Sequence, residues 1–415
     1  MTYVLVALGS MGDVRPQLAL ARALQDQGAE ALVVGMDDYA DTCKEADAPF
    51  TPMRVHTMEP IRSPVLARVA AGNQTVGAVI VRRWLAANAE RIAAVLDDVV
   101  APGDDVVSGL LSLPACQLLS EHRGCALAEL MLAPTLPTAY GASLVGAPRP
   151  GRSAVNRPYS WSLRRAALSV GAPIAAALRR RLPSGLRGAG RTRPRHRTHV
   201  LLGCSRQLVP PAPDWKQDVV ITGHLRMPGA ASWQPPQDLT RFLTDGDPPV
   251  FIGFGSVPLR DPVGAVEEQA RAVARIGLRA VLQPAPGFTA WDAGWGEHVH
   301  VLRRAPHEWL LPRTTAAIHH GGAGTTHAAL AAGVPQGVIP FSLDQPYFAH
   351  RVAALGLGPG DLDLTGAHGQ GLERLLHALT AGPKTAGYQS RARRFSALIA
   401  QEDGAARAAD VLLGG

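Results

Sequence analysis

The sequence predicts an α/β protein of two doubly wound domains, in which helices cover parallel sheets. Three observations favour this fold class: the chain has 415 residues, 47% of them are apolar, and short apolar runs alternate with helical stretches and glycine turns. A chain of this length exceeds what one hydrophobic core usually serves. Strands that are apolar throughout, rather than at every second residue, are typical of a parallel sheet buried on both faces.

The first domain, which we assign to residues 1–222, opens as strand, glycine loop, helix and strand. Its predicted strands are residues 3–8, 31–34, 106–107 and 126–133, and its first helix includes residues 18–24. Residues 223–238 contain Pro228, Gly229, Pro235 and Pro236 without apolar periodicity, which is typical of a linker between domains.

The second domain, residues 239–415, repeats the alternation of strand and helix, and its last helices could cross back to the first domain. Its predicted strands are residues 249–254, 279–283, 299–302, 316–319 and 337–339. Doubly wound domains bind ligands outside the carboxyl ends of their strands. Two such domains that face each other would therefore form a central cleft.

The composition excludes several classes of protein. The formal net charge is +7, yet no aromatic-interleaved basic motif of a nucleic-acid-binding protein accompanies it. The four cysteines, Cys43, Cys116, Cys125 and Cys204, form no CxxC pair, so neither a zinc site nor a disulfide framework is indicated. The chain starts with a strand-like segment and has no apolar run of membrane-spanning length. We therefore expect a cytoplasmic protein that is not stably inserted in a membrane. Whether it forms a homodimer is left open by the sequence.

The strongest functional signal is the segment HHGGAGTT, residues 319–326, which follows a predicted strand and opens a helix at Thr326. Glycines allow a ligand to approach the backbone, and the amides at a helix N-terminus attract anions. Thr325 and Thr326 can add hydroxyl donors, and His320 can donate a hydrogen bond to a phosphate oxygen, or a proton when charged. The alternative is a glycine-rich turn with two packed histidines.

A second motif, Asp344-Gln345-Pro346, follows a predicted strand and begins another helix. A carboxylate beside an amide can bind sugar hydroxyls, because hydroxyls need both acceptors and donors. The structural alternative is that Asp344 only caps the helix, since Asp is common ahead of a helix with proline in its first turn.

HHGGAGTT, the following GVP and the DQP turn together resemble the nucleotide-sugar signature of family 1 glycosyltransferases. Residues 306–358 are similar to the antibiotic glycosyltransferases of actinomycetes and to sterol glucosyltransferases. Residues 8–13, LGSMGD, match that group's opening GSxGD. The resemblance implies a GT-B fold, with the acceptor in the N-terminal domain and the nucleotide sugar held mainly by the C-terminal domain.

The family's donor contacts carry over by position. Asp344 and Gln345 would face the sugar. Arg304 and His307 stand in the segment where plant members have a stacking Trp and a Gln, and they would contact the nucleoside. Ala328 replaces a ribose-binding Glu of plant members, which leaves both UDP- and dTDP-sugars open. The diphosphate would be bound by Ser10, Ser256, His320, Gly322, Gly324 and Thr325.

The resemblance implies that Asp13 is the general base, which takes the proton from the acceptor hydroxyl. From the residues alone, a carboxylate in the loop between strand and helix can point into a cleft as a base, or it can be an N-cap. Because a carboxylate is a weak base for an alcohol, the proton must leave while the bond to the anomeric carbon forms. This favours concerted displacement with inversion.

The charge that develops on the leaving nucleoside diphosphate must be neutralised by a metal or by fixed donors. Helix amides, Thr325 and His320 could do this, so we expect no cofactor and no metal. Asp361-Leu362-Asp363 has the DxD spacing of metal sites in the other major glycosyltransferase fold, but it lies away from the diphosphate motif along the chain.

Residues 152–197 hold twelve arginines, interleaved with Trp161 and Leu163 among others. Such a surface could contact anionic lipid or an acidic acceptor, or it could be a solvated helix face followed by a loop. In the family this region borders the acceptor pocket, so the resemblance implies that it sets acceptor specificity.

The sequence thus predicts a metal-independent, inverting hexosyltransferase, which moves a sugar from a UDP- or dTDP-sugar to a hydroxyl of an apolar natural product. Polyketides, macrolides, sterols and polyphenols are the acceptor classes considered. A sugar-nucleotide epimerase is one alternative, but Asp13 and the apolar acceptor side argue against it. A non-catalytic partner of another glycosyltransferase is a second alternative, which the presence of Asp13, His320 and Asp344 disfavours.

Overall fold

A computed structural model describes most of the chain and divides it into two compact units. The described residues are 1–56, 74–141, 151–183, 199–216, 218–227, 233–257, 259–360 and 370–414. The first unit contains those of residues 1–59, 75–228 and 402–415, and the second contains those of residues 60–74 and 229–401. Part of the predicted linker, residues 228–232, and the Asp361-Leu362-Asp363 motif lie outside the described residues.

The first unit is built on a parallel sheet of seven described strands in the order β3-β2-β1-β4-β5-β6-β7. Residues 3–7 of the first strand are each no more than 1% exposed, so both faces of the sheet are covered, as predicted. The strands are β1 (Thr2–Ala7), β2 (Glu30–Gly35), β3 (Phe50–Pro52), β4 (Asp105–Ser108), β5 (Ala126–Met131), β6 (His199–Leu202) and β7 (Val219–Ile221).

The helices of this unit include one 16-residue helix directly after β1. They are α1 (Met11–Asp26), α2 (Ala40–Glu45), α3 (Gln74–Val99), α4 (Leu113–Arg123) and α5 (Asn156–Arg181), with a 3-10 turn at Asp37–Tyr39.

The second unit has a parallel sheet of five described strands in the order β10-β9-β8-β11-β12. They are β8 (Val250–Gly253), β9 (Ala280–Gln283), β10 (Val299–Val301), β11 (Ala317–His319) and β12 (Gln336–Val338). Val250 and Ile252 belong to one buried apolar cluster and Phe251 to another. Because neighbouring strand residues point to opposite faces, both faces of this sheet are covered too.

The helices of the second unit begin inside the predicted linker, since Gln237 and Asp238 already form the first turn of one of them. They are α6 (Gln237–Thr244), α7 (Pro262–Arg275), α8 (His307–Leu310), α9 (Ala323–Ala332), α10 (Gln345–Ala354), α11 (Gln370–Thr380) and α12 (Thr385–Ile399), with a 3-10 turn at Leu311–Arg313. The last helix, α13 (Gly404–Leu413), belongs to the first unit.

Helix α13 is bound to the start of the chain by side-chain hydrogen bonds. The Tyr3 hydroxyl donates to the Leu412 carbonyl at 3.1 Å, and the Gln27 amide donates to Asp410 Oδ1 at 2.9 Å. The C-terminal helix therefore stabilises the first unit, because Tyr3 lies in β1.

Each sheet has one position at which the direction of strand addition reverses. In the first unit, β2 and β3 are added on one side of β1, and β4 is then added on its other side. In the second unit, β9 and β10 are added on one side of β8, and β11 is then added on its other side. Doubly wound sheets bind ligands at this position. The loops after β1 and β4, and those after β8 and β11, are therefore the places where the fold favours binding sites.

Gly171 allows α5 to pass directly over the turn before α4, because a Cβ at this position would overlap the Leu111 carbonyl oxygen. We expect Gly171→Ala to lower the free energy of unfolding by about 1–3 kcal/mol, the usual cost of overpacking. Urea denaturation measures this change. Gly387→Ala in α12 is the matched control, since its Cβ would meet only the flexible end of Arg391, at 3.1 Å. Equal stabilities of the two variants would contradict this close packing.

Candidate functional site

Three loops of the second unit contact one another at the carboxyl edge of its sheet. Phe254, after β8, and Phe341, after β12, pack edge to face with ring centroids 5.6 Å apart. The His320 ring, after β11, lies so close to Gly255 that a Cβ there would come within 2.8 Å of Cε1. The loops that carry Ser256, His320 and Asp344 are therefore brought together at one edge.

Helix α9 begins at Ala323, three residues before the predicted start at Thr326, so that prediction was wrong. Gly322 takes the N-cap position, and the Thr326 amide is the first to bond back, to the Gly322 carbonyl at 3.0 Å. The amides of Ala323, Gly324 and Thr325 consequently have no partner within the helix. Because the N-cap residue, Gly322, has no side chain with which to cap the helix, the first turn offers free donors and the positive end of the helix dipole.

The three glycines of the motif differ in whether the structure requires a residue without a side chain. Gly321 has φ of +88°, and a Cβ on it would lie 2.6 Å from Val338 Cγ1. A Cβ on Gly322 would overlap the His320 ring. Only Gly324 faces open space, with no atom within 4 Å of a Cβ built there. Gly321 and Gly322 are thus required by the protein's own packing, and Gly324 alone leaves room for a ligand.

His319 is a packed residue whose two ring nitrogens are both used. Its Nδ1 accepts a hydrogen bond from the Gly321 amide at 3.0 Å, which leaves the proton on Nε2 to be donated to Gln336 Oε1 at 3.0 Å. Burial, with a smaller contribution from His320, lowers the pKa of His319 to about 3. A neutral His319 therefore fixes the Gly321 turn and has no nitrogen left for a phosphate.

Gln336 was missed by the sequence-based prediction, although it is the residue that orients His319. It is fully buried in β12, among the otherwise apolar residues Gly337 and Val338. A side-chain amide within a short apolar strand is the sequence feature that could have identified Gln336, because a buried polar group needs a hydrogen-bond partner.

His320 has a ring nitrogen that the described residues leave without a hydrogen-bond partner. No hydrogen bond from the described residues reaches its buried Nδ1, and the side chain is partly exposed. Burial lowers the pKa of His320 to about 4, so the ring is neutral at pH 7. Of the two predicted modes, the structure favours hydrogen-bond donation over proton donation.

The two threonines of the motif differ in what their hydroxyls do. Thr326 is fully buried and donates its hydroxyl to the Gly322 carbonyl at 2.9 Å, which corrects its assignment as a free donor. Thr325 is half-buried, and no hydrogen bond to its hydroxyl is found among the described residues. Thr325 is therefore the threonine that can bind a phosphate.

Gly324→Ala should separate ligand binding from stability. Alanine at an open position in a helix stabilises it by about 0.5–1 kcal/mol relative to glycine, whereas the added methyl group would occupy the space over the free amides. We expect a raised melting temperature together with weaker dTDP binding by calorimetry. Gly387→Ala should stabilise without changing dTDP binding. Unchanged binding in Gly324→Ala would remove this helix terminus from the site.

Asp344 and Gln345 begin α10, but neither acts as a simple cap. Asp344 occupies the N-cap position, but its side chain accepts no capping hydrogen bond from the backbone of α10. Gln345 Oε1 accepts hydrogen bonds from the Phe341 amide at 2.7 Å and the Ser342 amide at 3.0 Å. The side-chain carbonyl of Gln345 therefore holds the loop before α10, and the side-chain NH₂ group is the part left for a sugar hydroxyl.

Arg304 and His307 lie after β10, on the same edge of the sheet. Arg304 is exposed, and the His307 ring packs edge to face on Phe251 with centroids 5.4 Å apart. His307 Nε2 lies 3.4 Å from Gln283 Oε1. Arg304 therefore lies in the loop after β10, whereas the His307 ring, at the start of α8, reaches across to residues of β8 and β9.

In the first unit, Asp13 lies in the first turn of α1, and the N-cap is Ser10, not Asp13. The Ser10 amide and hydroxyl donate to Asp13 Oδ2 at 2.7 and 3.1 Å, while Ser10 Oγ accepts from the Gly12 amide at 3.2 Å. Both hydrogen bonds from Ser10 reach Oδ2, and neither reaches Asp13 Oδ1. One carboxylate oxygen is therefore structural and the other is open.

The Asp13 carboxylate lies directly against Gly9. Gly9 has φ of +151°, and a Cβ on it would come within 2.6 Å of Asp13 Cγ. The buried Tyr39 holds this turn through a hydrogen bond from its hydroxyl to the Gly9 carbonyl, at 3.0 Å. Asp13 is exposed at the surface; desolvation by the surrounding atoms nevertheless raises the pKa of its carboxyl, and the hydrogen bonds from Ser10 lower it by less.

The arginine-rich region is partly described, since residues 184–198 lie outside the described part. In α5, Arg164 forms an ion pair of 2.6 Å with the buried Glu129, and Arg180 pairs with Glu90 at 2.5 Å. Arg165 stacks over the exposed Trp161, with the guanidinium carbon 4.9 Å from the ring centroid. Some of these arginines are thus structural, and others form an exposed basic surface.

Further expectations of the sequence concern cysteines, metals and membranes. All four cysteines are buried and free. No group of three metal-ligating side chains comes together in the described ranges. Of the helices that the structure describes, none combines the length and apolarity needed to cross a membrane.

The chain is 30% identical to glycosyltransferase GtfE of Amycolatopsis orientalis over 431 aligned residues, which cover 99% of this chain and 97% of that protein. It is a family 1 glycosyltransferase. Residues 293–364 of this glycosyltransferase, which include the segments HHGGAGTT and Asp344-Gln345-Pro346, match the C-terminal domain of erythromycin biosynthesis protein CIII-like proteins.

Two further likenesses extend the comparison. Sterol 3-beta-glucosyltransferase UGT80A2 of Arabidopsis thaliana is 36% identical over 167 residues, 38% of this glycosyltransferase and 25% of that protein. The chain matches a third or less of the length of such sterol glucosyltransferases. The Streptomyces sp. SF2575 glycosyltransferase SsfS6, solved with thymidine diphosphate, matches with a TM-score of 0.61 at 17% identity over 100% of both chains. The predicted GT-B fold is confirmed.

Proposed function

We propose that this glycosyltransferase moves a sugar from a dTDP- or UDP-sugar to a hydroxyl of an apolar natural product, with inversion and without a metal. The supporting observation is the order of the loops along the second sheet. The predicted nucleoside contacts follow β10, the diphosphate contacts follow β8 and β11, and the sugar contacts follow β12. Nucleoside, diphosphate and sugar have the same order in a nucleotide sugar.

The spacing of the strands fits such an extended ligand. Neighbouring strands lie about 4.8 Å apart, so β10 and β11 are separated by about 14 Å along this edge. A ligand that spans these loops would place its diphosphate at the free amides of α9 and its sugar beside Asp344. The thymidine diphosphate bound to SsfS6 supports a nucleoside diphosphate as the group recognised here.

Fixed donors would stabilise the leaving nucleoside diphosphate. Hydrogen bonds to a developing anion can be donated by the Thr325 hydroxyl, by the neutral His320 and by the amides of Ala323, Gly324 and Thr325. Because these donors are rigidly held before the reaction, they act without reorganisation. They support a reaction that needs no metal ion.

Asp13 would accept the proton of the acceptor hydroxyl. Ser10 holds Oδ2 in place, so the open Oδ1 is the oxygen that takes the proton as the acceptor oxygen attacks the anomeric carbon. Direct attack, without a covalent intermediate, inverts that carbon. The name of the sterol glucosyltransferases supports an apolar acceptor.

The test is an assay with purified protein, dTDP-glucose or UDP-glucose, and a panel of sterols, macrolide aglycones and polyphenols, read by mass spectrometry with and without EDTA. The proposal predicts an acceptor whose mass rises by one hexose, with an equal yield in EDTA. Transfer abolished by EDTA and restored by Mg²⁺ would contradict the metal-independent mechanism. Nucleotide binding without transfer to any acceptor of the panel would count against the catalytic proposal.

A further inference from the structure

Leu343, the residue before Asp344, combines two uncommon properties. Its side chain is 59% exposed, and its φ is +56°, in the left-handed region that residues other than glycine, asparagine and aspartate rarely adopt. The other non-glycine residues with positive φ in the described ranges are Asp47 and Arg54, which are polar. An apolar side chain is therefore displayed outward at a backbone position that disfavours it.

The loop around Leu343 is closed by hydrogen bonds on both sides. Gln345 Oε1 binds the amides of Phe341 and Ser342, and the Gln345 amide donates to the Ser342 carbonyl at 3.2 Å. Gln345 itself is only 8% exposed, so this clamp is fixed by the core. Strained backbone persists where its surroundings over-determine it, and such strain clusters at ligand-binding sites.

The position of Leu343 places it at the sugar end of the proposed donor site. Consecutive Cα atoms lie about 3.8 Å apart, so a group that contacts Asp344 is within reach of the Leu343 side chain. Packing of Phe341 on Phe254 also holds this loop beside the loop of Ser256. An apolar side chain packs well against C–H groups, but it leaves a hydroxyl without a hydrogen-bond partner.

We propose that Leu343 is a specificity-determining residue for the donor sugar, and that it selects a sugar which presents a C–H or methyl group, in place of a hydroxyl, to this side chain. This inference rests on the proposed function, because it assumes that Asp344 and Gln345 bind the sugar of a nucleotide donor. The strained backbone is the means by which the loop turns an apolar side chain toward the ligand.

The test is the dissociation constant of each donor, measured by calorimetry without acceptor for dTDP-glucose, dTDP-2-deoxyglucose and dTDP-6-deoxyglucose. We expect the wild-type protein to bind one deoxy donor about tenfold more tightly than dTDP-glucose, the usual effect of one misplaced group in an apolar subsite. Leu343→Ala should remove that preference. Leu343→Asn should do the same, and because asparagine tolerates positive φ it shows that the loss comes from the side chain and not from the backbone.

Leu398→Ala, a change at a 39% exposed leucine of α12, is the matched control and should keep the wild-type preference. Tighter binding of dTDP-glucose than of both deoxy donors, or a preference that survives Leu343→Ala, would overturn the inference. Selective binding of a deoxy donor without transfer in the assay above would count against the catalytic proposal while upholding this one. Failure of every donor to bind would overturn both.

Discussion

Asp13→Asn should lower the rate of sugar transfer by about two to four orders of magnitude, the usual size of a general-base effect, while dTDP binding stays unchanged. The amide oxygen of asparagine can still accept the hydrogen bond of the Ser10 amide, so the start of α1 should be preserved. The variant loses only the ability to take a proton. Initial rates with saturating donor and acceptor, together with calorimetry of dTDP, measure the two effects.

Asp403→Asn is the matched control for that variant. Asp403 caps α13 in the same unit through a hydrogen bond from the Ala406 amide at 3.1 Å, so both variants change one helix-terminal carboxylate to an amide. The control should transfer sugar at the wild-type rate. Transfer that is undiminished in Asp13→Asn would remove Asp13 from the mechanism.

The pH dependence of transfer carries a further signature of Asp13. Desolvation raises the pKa of its carboxyl above the ordinary value for aspartate, and a base works only when it is deprotonated. Transfer should therefore decline, as pH falls, at a higher pH than an ordinary aspartate would give. The residual rate of Asp13→Asn should lack this acidic limb.

His320→Ala should reduce kcat/KM for the donor by about 100-fold, as expected when one donor to a developing anion is lost. Because burial lowers the pKa of His320 to about 4, the ring acts as a neutral hydrogen-bond donor between pH 6 and 8. The loss should accordingly be the same across that interval. Steady-state kinetics at varied donor concentration and pH measure it.

Two variants control for His320→Ala. His320→Gln keeps a donor group and should recover part of the lost kcat/KM. His377→Ala, in α11, changes an exposed histidine and should leave donor kinetics unchanged. A normal response to donor concentration in His320→Ala would exclude a phosphate role, and a loss that appears only below pH 6.5 would indicate a charged imidazole instead.

The continuous apolar runs were sufficient to predict the parallel sheets, because strands buried on both faces need apolar residues at every position. Three strands of the first unit, β3, β6 and β7, were missed, since runs of three or four residues carry little periodicity. Thr326 was predicted as the start of α9 because the glycines and alanine before it are more typical of a loop than of a helix. In the structure the helix begins directly after Gly322, which takes the N-cap position.

The candidate site was predictable at the level of motifs but not of individual hydrogen bonds. Ser10 and Asp13 share one capping box, and the sequence could not show which of the two carboxylate oxygens remains open. Likewise, the sequence does not reveal that the Gln345 carbonyl is consumed by its own loop, or that Gln336 orients His319. These contacts join residues whose approach depends on how β11 and β12 pair and how the loops after them fold.

The anomeric configuration of the product, read from its proton coupling constants by NMR after transfer from an α-configured dTDP- or UDP-sugar, tests the proposed mechanism most directly. Direct displacement by an acceptor hydroxyl that Asp13 deprotonates predicts a β-glycoside as the only product. An α-glycoside would contradict it, because retention requires a second displacement or a front-side reaction for which a single base at Asp13 gives no account.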